Sequence, residues 1–272
     1  MTPLGPRLRE ALLAGRREGR RGIGGASLRR SDGYEFAELR AYVDGDDPRR
    51  IDWAATARAG ALQTRVILEE RALFLAVALD ASLSMYVGRN VSNYDLACEA
   101  ATRWFDVALD DDRCARLGRE PLVLGDVRGR AGAFVCAARR EPRGTALEES
   151  LRLALATLPR GARLLAVSDF FNLENERALL LACAARFDLT ALFARDPWHE
   201  GFPLRGFVRL RDAESDRTSR TYVGKRARGR YLAAVAERER SVLEQLRAMG
   251  ARAGTLDEAS GALRSLARTF GL

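Results

Sequence analysis

One histidine, His199, and one lysine, Lys225, are all that the 272-residue chain has of either residue. A site built from several imidazoles is therefore excluded. A Ser-His-Asp arrangement would have only His199 to use, with no nucleophile near it in sequence. Cysteine is scarce as well: Cys98, Cys114, Cys136 and Cys183 include no C-x-x-C pair, so a zinc site is not expected. Cys98 and Cys183 fall in apolar helical stretches and read as small core residues, a usage that suits a reducing, cytoplasmic location. No window approaches 18 consecutive apolar residues, so no membrane-spanning helix is expected. Residues 1–30 carry eight arginines and two glutamates without an apolar stretch, unlike a signal peptide. Such an arginine-rich amphipathic start reads first as a solvated helix and loop, with a partner-binding arm or peripheral contact with a membrane surface as the alternatives.

What is present is enough for a packed core. Hydrophobic residues make up 47% of the chain, and the charged 30% are mixed in sign, which sets it apart from disordered chains. The net charge of +8 and pI of about 9.9 raise the question of a nucleic-acid partner. Arginine is spread along the whole chain, however, and no aromatic-basic platform or known reading motif stands out. No nucleic-acid partner is expected, and a basic nucleic-acid-binding protein is kept only as an alternative.

The chain reads as three parts. Residues 1–71 open with a helix over 6–17, followed by a glycine-rich stretch over 19–25 that lacks the G-K-[ST] ending of a phosphate loop. Asp47 and Pro48 read as the cap and first position of a helix running to Arg58, stopped by Gly60, and residues 62–70 alternate as a strand does. Asp44, Asp46, Asp47 and Asp52 lack the order of a calcium loop and read as a turn plus a cap. Trp53 is expected to anchor this segment by packing. Residues 72–196 alternate strand and helix: strands over 73–79, 164–167 and 189–194, helices over 93–109, 146–158 and 179–185, and two or three short strands within 113–138. Strands alternating with helices predict an α/β fold with a doubly wound, mostly parallel sheet flanked by helices. Residues 197–272 form a C-terminal strand and helix extension: a hairpin of 207–211 with 218–223, a long helix over 229–249 and a last helix over 257–270.

Three short motifs fall beyond strand ends, where ligands bind in open α/β sheets. Asp80-Ala-Ser82-Leu-Ser84 follows the first buried strand, Ser168-Asp169 follows another, and Gly144-Thr145 precedes a helix. Alternation along D-x-S-x-S puts Asp80, Ser82 and Ser84 on one side of the chain. One carboxylate and two hydroxyls then converge, with Thr145 as a third hydroxyl and Asp169 placed to hold a bound water. Magnesium wants oxygen ligands and keeps several waters, so this donor set suits Mg or another divalent cation. A cation with so few carboxylates stays electrophilic and accepts a carboxylate from a partner. The plainer alternative is a strand-to-helix turn with ordinary caps.

These residues also resemble known families. D-x-S-x-S with a later Thr and Asp is similar to the metal-ion-dependent adhesion site of von Willebrand factor A domains. The upstream string Tyr34-Glu-Phe-x-x-Leu-Arg40-x-Tyr42, Gly45-Asp46-Asp47-x-Arg49, Ile51-Asp52-Trp53 and Ala57-Arg58, followed by Asp80 to Met85, resembles the signature of the domain-of-unknown-function 58 family. The resemblance implies a von Willebrand factor A-like fold. It further implies a metal-dependent, protein-binding role beside a MoxR-type AAA+ ATPase, in chaperone-like maturation or assembly of a client complex whose protein supplies an acidic ligand. No catalytic constellation is found, so an enzyme is not expected. A metal-assisted hydrolase remains the other alternative.

Overall fold

In the computed structural model, residues 4–14, 35–43, 48–68, 72–118, 128–138, 144, 146–211 and 217–272 are described. The elements in order are α1 (Leu4–Ala14), β1 (Glu35–Ala41), α2 (Trp53–Ala59), β2 (Gln63–Leu68), β3 (Phe74–Leu79), α3 (Asn93–Phe105), β4 (Arg113–Leu117), α4 (Gly129–Ala138), α5 (Leu147–Thr157), β5 (Arg163–Ser168), α6 (Leu173–Arg186), β6 (Asp188–Ala194), β7 (Gly206–Arg211), β8 (Thr218–Val223), α7 (Lys225–Ala248), β9 (Arg252–Leu256) and α8 (Gly261–Phe270). They fall into two compact units, one of Met1–Ala26 with Leu73–Leu272, the other of Ser27–Ala72.

The larger unit is built on a five-stranded parallel sheet in the order β4-β3-β5-β6-β9. β3 is buried along its whole length because both faces are covered, as its unbroken apolar sequence requires. On one face Leu75, Val77 and Leu79 pack with Leu8 and Leu12 of α1, Trp104 and Phe105 of α3, and Leu266 of α8. On the other, Phe74, Ala76 and Ala78 pack with Leu147 and Leu151 of α5, Leu180 of α6, and Leu243 and Leu246 of α7. The result is a mixed α/β fold, a parallel sheet between two helical layers. From β3 the chain winds outward to β4, then returns to the other side of β3 to lay down β5, β6 and β9. The winding reverses between β3 and β5, the position at which open sheets of this kind carry their ligands.

Several expectations are corrected. Among the described residues of 113–138 there is one strand, β4, and then the helix α4 where strand was expected. Gly129, Gly132, Ala133 and Cys136 of α4 are buried, while Ala131 is exposed and Phe134 stays 75% exposed, a period of three to four rather than two. The helix expected to reach Leu109 stops at Phe105, because the Leu109 N–H is taken by the Asp112 carboxylate at 2.7 Å. The last helix begins at Gly261, and residues 252–256 before it form β9, a strand with no apolar run to announce it. All four cysteines are free thiols, and burial pushes those of Cys114 and Cys183 up to about 12, which suits packing and not chemistry.

The smaller unit pairs β1 with β2 in antiparallel fashion, with a register shift between Phe36 and Glu38. Its helix is shorter than expected. Pro48–Arg50 form a 3-10 turn, Ile51 bridges to Thr64, and α2 starts only at Trp53, where Asp52 accepts the Ala55 N–H at 2.9 Å. Gly60, at φ 68°, ends it as anticipated. Trp53 is 68% exposed. The expected Asp47 cap and the glycine-rich stretch over 19–25 lie outside the described residues.

Candidate metal centre

The carboxyl ends of β3 and β5 lie side by side, since the Asp80 N–H donates to the Val167 carbonyl at 2.9 Å. The next residue on β5 is Ser168, so Asp80 and Ser168 face each other at the switch in winding. The Ser168 hydroxyl donates to Asp80 Oδ2 at 2.5 Å and accepts the Phe170 N–H at 2.8 Å. Asp80 Oδ1 accepts the Ser82 N–H at 2.8 Å, and the Ser82 and Ser84 hydroxyls are 3.1 Å apart. Ser82 opens a 3-10 turn over Leu83–Tyr86 but makes no side-chain cap. Its hydroxyl is not spent as an ordinary helix-start serine would spend it, which weighs against the plainer reading of the motif. One carboxylate and three hydroxyls thus form a continuous hydrogen-bonded cluster.

Asp80 and Ser168 are buried, Ser82 and Ser84 half-buried. Asp80 is 5% exposed. Burial raises its carboxyl above the ordinary range, the hydrogen bonds from Ser168 and Ser82 pull it back, and the charge of Asp169 adds to the rise. No cationic side chain is paired with Asp80 among the described residues. Glu176, in the first turn of α6, is also 5% exposed, and its Oε2 has no hydrogen-bond partner. Its carboxyl is pushed up to about 7, first by burial and then by the charges of Asp80, Asp169 and Glu148. The mutual repulsion of Asp80, Asp169 and Glu176 at this rim is what a cation would relieve.

Of the residues singled out in the sequence, Asp80, Ser82 and Ser84 are brought together, and Ser168 joins them. Asp169 is adjacent but turned into its own loop. Its Oδ1 accepts the Phe171 N–H at 2.9 Å and its carbonyl accepts from Arg238 at 2.9 Å, leaving its charge, not a direct bond, to act on Asp80. Thr145 lies outside the described residues, but the Gly144 N–H donates to the Ala81 carbonyl at 2.6 Å, which ties the loop before α5 to the loop after Asp80. Between Asp169 and the 72%-exposed Phe171, Phe170 holds φ 48°, a left-handed conformation that costs a non-glycine residue about 1–3 kcal/mol. Among the described residues no three His, Cys, Asp or Glu side chains converge into a metal cage. The Asp80 cluster, rich in hydroxyls with a single carboxylate, fits a hydrated hard cation such as magnesium and not zinc or a calcium cage. His199 stands apart, its Nδ1 2.8 Å from the Asp196 carbonyl in its own turn.

Comparison with known proteins places the chain among relatives without an assigned role. Residues 38–241 match the family described as "Protein of unknown function DUF58". Uncharacterized proteins of Mycobacterium bovis and Mycobacterium tuberculosis are 29% identical over 231 residues, 80% of this chain and 73% of each relative. Among solved structures, a conserved hypothetical protein BatB from Bacteroides thetaiotaomicron superposes with a TM-score of 0.45 at 18% identity, covering 73% of this chain and 97% of its own. An aerotolerance-related membrane protein from Bacteroides fragilis superposes with a TM-score of 0.42 at 13% identity, covering 73% and 98%. No described helix of this chain is long and apolar enough to cross a membrane.

Proposed function

The chain belongs to the DUF58 family of proteins of unknown function, and from that premise and the Asp80 cluster we propose that it is a metal-dependent protein-binding module of von Willebrand factor A-like fold. The parallel sheet with helices on both faces supports the fold. The observation that carries the function is the buried Asp80 carboxylate at the switch between β3 and β5, hydrogen-bonded to Ser82 and Ser168 and, among the described residues, paired with no cation. In this reading Asp80, Ser82 and Ser84 hold magnesium, with Thr145 and Asp169 completing its shell. The bound ion supplies an open, electrophilic position for a carboxylate of the partner. The chain's own residues do the rest: Ser168 fixes the Asp80 rotamer, and Phe171 offers an exposed aromatic at the rim. The partner is a MoxR-type AAA+ ATPase, and the two act in maturation or assembly of a client protein that brings the acidic ligand.

The test is capture of the ATPase and client by the purified chain in magnesium and in a chelator, for the wild type and Asp80→Ala. Capture should be lost in the chelator and in the variant alike. Equal capture by Asp80→Ala would remove the metal site from the interface.

A metal-assisted hydrolase is the second reading, and Glu176 is what favours it: a buried carboxyl near neutrality, beside Asp80, is poised for general acid-base work. Phosphatase and peptidase substrates with magnesium or manganese decide between the two. The binding-module reading expects no turnover above background, and turnover abolished in both Asp80→Ala and Glu176→Gln would favour the enzyme.

A further inference from the structure

The β7–β8 hairpin presents a face that composition alone does not reveal. Phe207 pairs with Tyr222 and Arg209 with Arg220 across the two strands. Because side chains alternate, these four share one face of the hairpin. Phe207 is 89% exposed and Tyr222 62% exposed, yet their rings sit edge to face, 5.2 Å between centroids and 63° between planes. Arg209 and Arg220 are exposed and stand directly opposite each other, a like-charge pair that destabilises an isolated hairpin. Neither has an ion-pair partner among the described residues. On the opposite face Val223 is buried and Val208 half-buried, while Leu210, Ser219 and Thr221 are exposed. β8 then runs through Gly224 straight into α7, whose exposed Lys225, Arg226 and Arg230 continue the basic surface. Residues 205–230 hold nine Arg or Lys against three Asp or Glu, a net +6 of the chain's +8. Basic charge is thus concentrated in this stretch, as it also is in residues 1–30 with eight arginines against two glutamates.

From this juxtaposition we infer that the outer face of the β7–β8 hairpin binds single-stranded nucleic acid, independently of the Asp80 cluster. Two flat rings are open for base stacking, and one step along the strands, about 7 Å away, two guanidiniums are open for phosphate. That is the pairing of stacking platform and cationic track used for unpaired strands. An acidic peptide would satisfy the arginines but leaves the faces of the rings without a planar partner. A duplex keeps its bases stacked inside and offers the rings nothing.

The test is fluorescence anisotropy of labelled oligothymidylate and oligouridylate with the full chain, beside a duplex of equal length, polyglutamate and phosphatidylserine-containing vesicles. Single strands should bind in preference to the duplex, with affinity falling as salt rises. Phe207→Leu keeps the apolar bulk and removes the flat ring, and should weaken binding about tenfold. Arg209→Ser with Arg220→Ser should flatten the salt dependence by about 0.7 of a log unit per log unit of salt for each phosphate no longer neutralised. All three side chains are exposed, so melting temperature serves as the folding control and should not fall. Unaltered affinity in Phe207→Leu, equal affinity for the duplex, or binding confined to vesicles or polyglutamate would overturn the inference.

Discussion

Replacing Asp112 with alanine is expected to lower the stability of the folded chain by about 3–5 kcal/mol, the range for breaking a buried ion pair from one side. Asp112 is fully buried and joins three separate segments. Its Oδ1 accepts the Leu73 N–H at 2.6 Å, at the entry to β3, and its Oδ2 accepts the Leu109 N–H at 2.7 Å. Both oxygens also receive the Arg9 guanidinium of α1, Nη1 on Oδ2 and Nη2 on Oδ1. Arg9 Nη1 reaches the Val107 carbonyl as well, at 3.0 Å. Alanine leaves two buried N–H groups without an acceptor and a largely buried cation with only the Val107 carbonyl, and each orphaned group costs about 1–3 kcal/mol. Thermal melting should fall on the order of 10 °C. Asp112→Asn, which keeps the shape and one acceptor, should fall by less. A loss below about 1 kcal/mol in Asp112→Ala would mean that this hub is solvated like a surface pair.

Glu176→Gln is expected to stabilise the chain by about 2–3 kcal/mol at pH 8, from a shift of a carboxyl from its ordinary 4.5 up to about 7. The folded state holds a proton on Glu176 that the unfolded state releases. The favourable contribution of the protonated carboxyl is fully present below pH 4.5 and is lost as the pH rises through about 7. Wild-type stability should therefore decline between about pH 4.5 and 7 and level off above. The glutamine variant should lack that decline, so the two curves meet at acid pH and diverge toward neutrality. Denaturant unfolding across pH measures both. A cation at Asp80 would relieve part of the repulsion, so magnesium should narrow the gap. Parallel curves, or a variant less stable at pH 8 than at pH 5 to the same degree as wild type, would place Glu176 in a solvated or paired setting.

How much of this was legible in the sequence depends on whether the signal is local. β3 announces itself as a continuous apolar run ending in Asp80, and Asp80, Ser82 and Ser84 form a cluster because the chain between them is short. β5, β6, α5 and the β7–β8 hairpin are legible for the same reason. Features that depend on distant segments are not. Glu176 lies in the first turn of a helix, where a glutamate is ordinarily a solvated complement to the helix dipole, and only the approach of α6 to the end of β3 buries it. Asp112 is the last of three consecutive aspartates, Asp110, Asp111 and Asp112, and nothing in the spacing marks which one the fold takes inside. β9, Arg-Ala-Gly-Thr-Leu, is a half-buried edge strand without an apolar run, held by parallel pairing with β6. α4 reads as strand because Phe134-Val135-Cys136 is apolar, whereas the fold buries Ala133 and Cys136 and exposes the two largest of these side chains. Phe207 and Tyr222 become neighbours only through strand register.

Calorimetric titration of magnesium into the wild type, Asp80→Ala and Asp80→Asn tests most directly whether the Asp80 cluster is a metal centre. The asparagine variant keeps an acceptor for Ser168 or Ser82 and so separates loss of charge from loss of local structure. One chelator-reversible site is expected in the wild type and none in either variant, with melting of the asparagine form close to wild type. Equal binding in the variants, or no binding in the wild type, would contradict a metal-dependent role and reduce the Asp80 cluster to a hydrogen-bonded strand end.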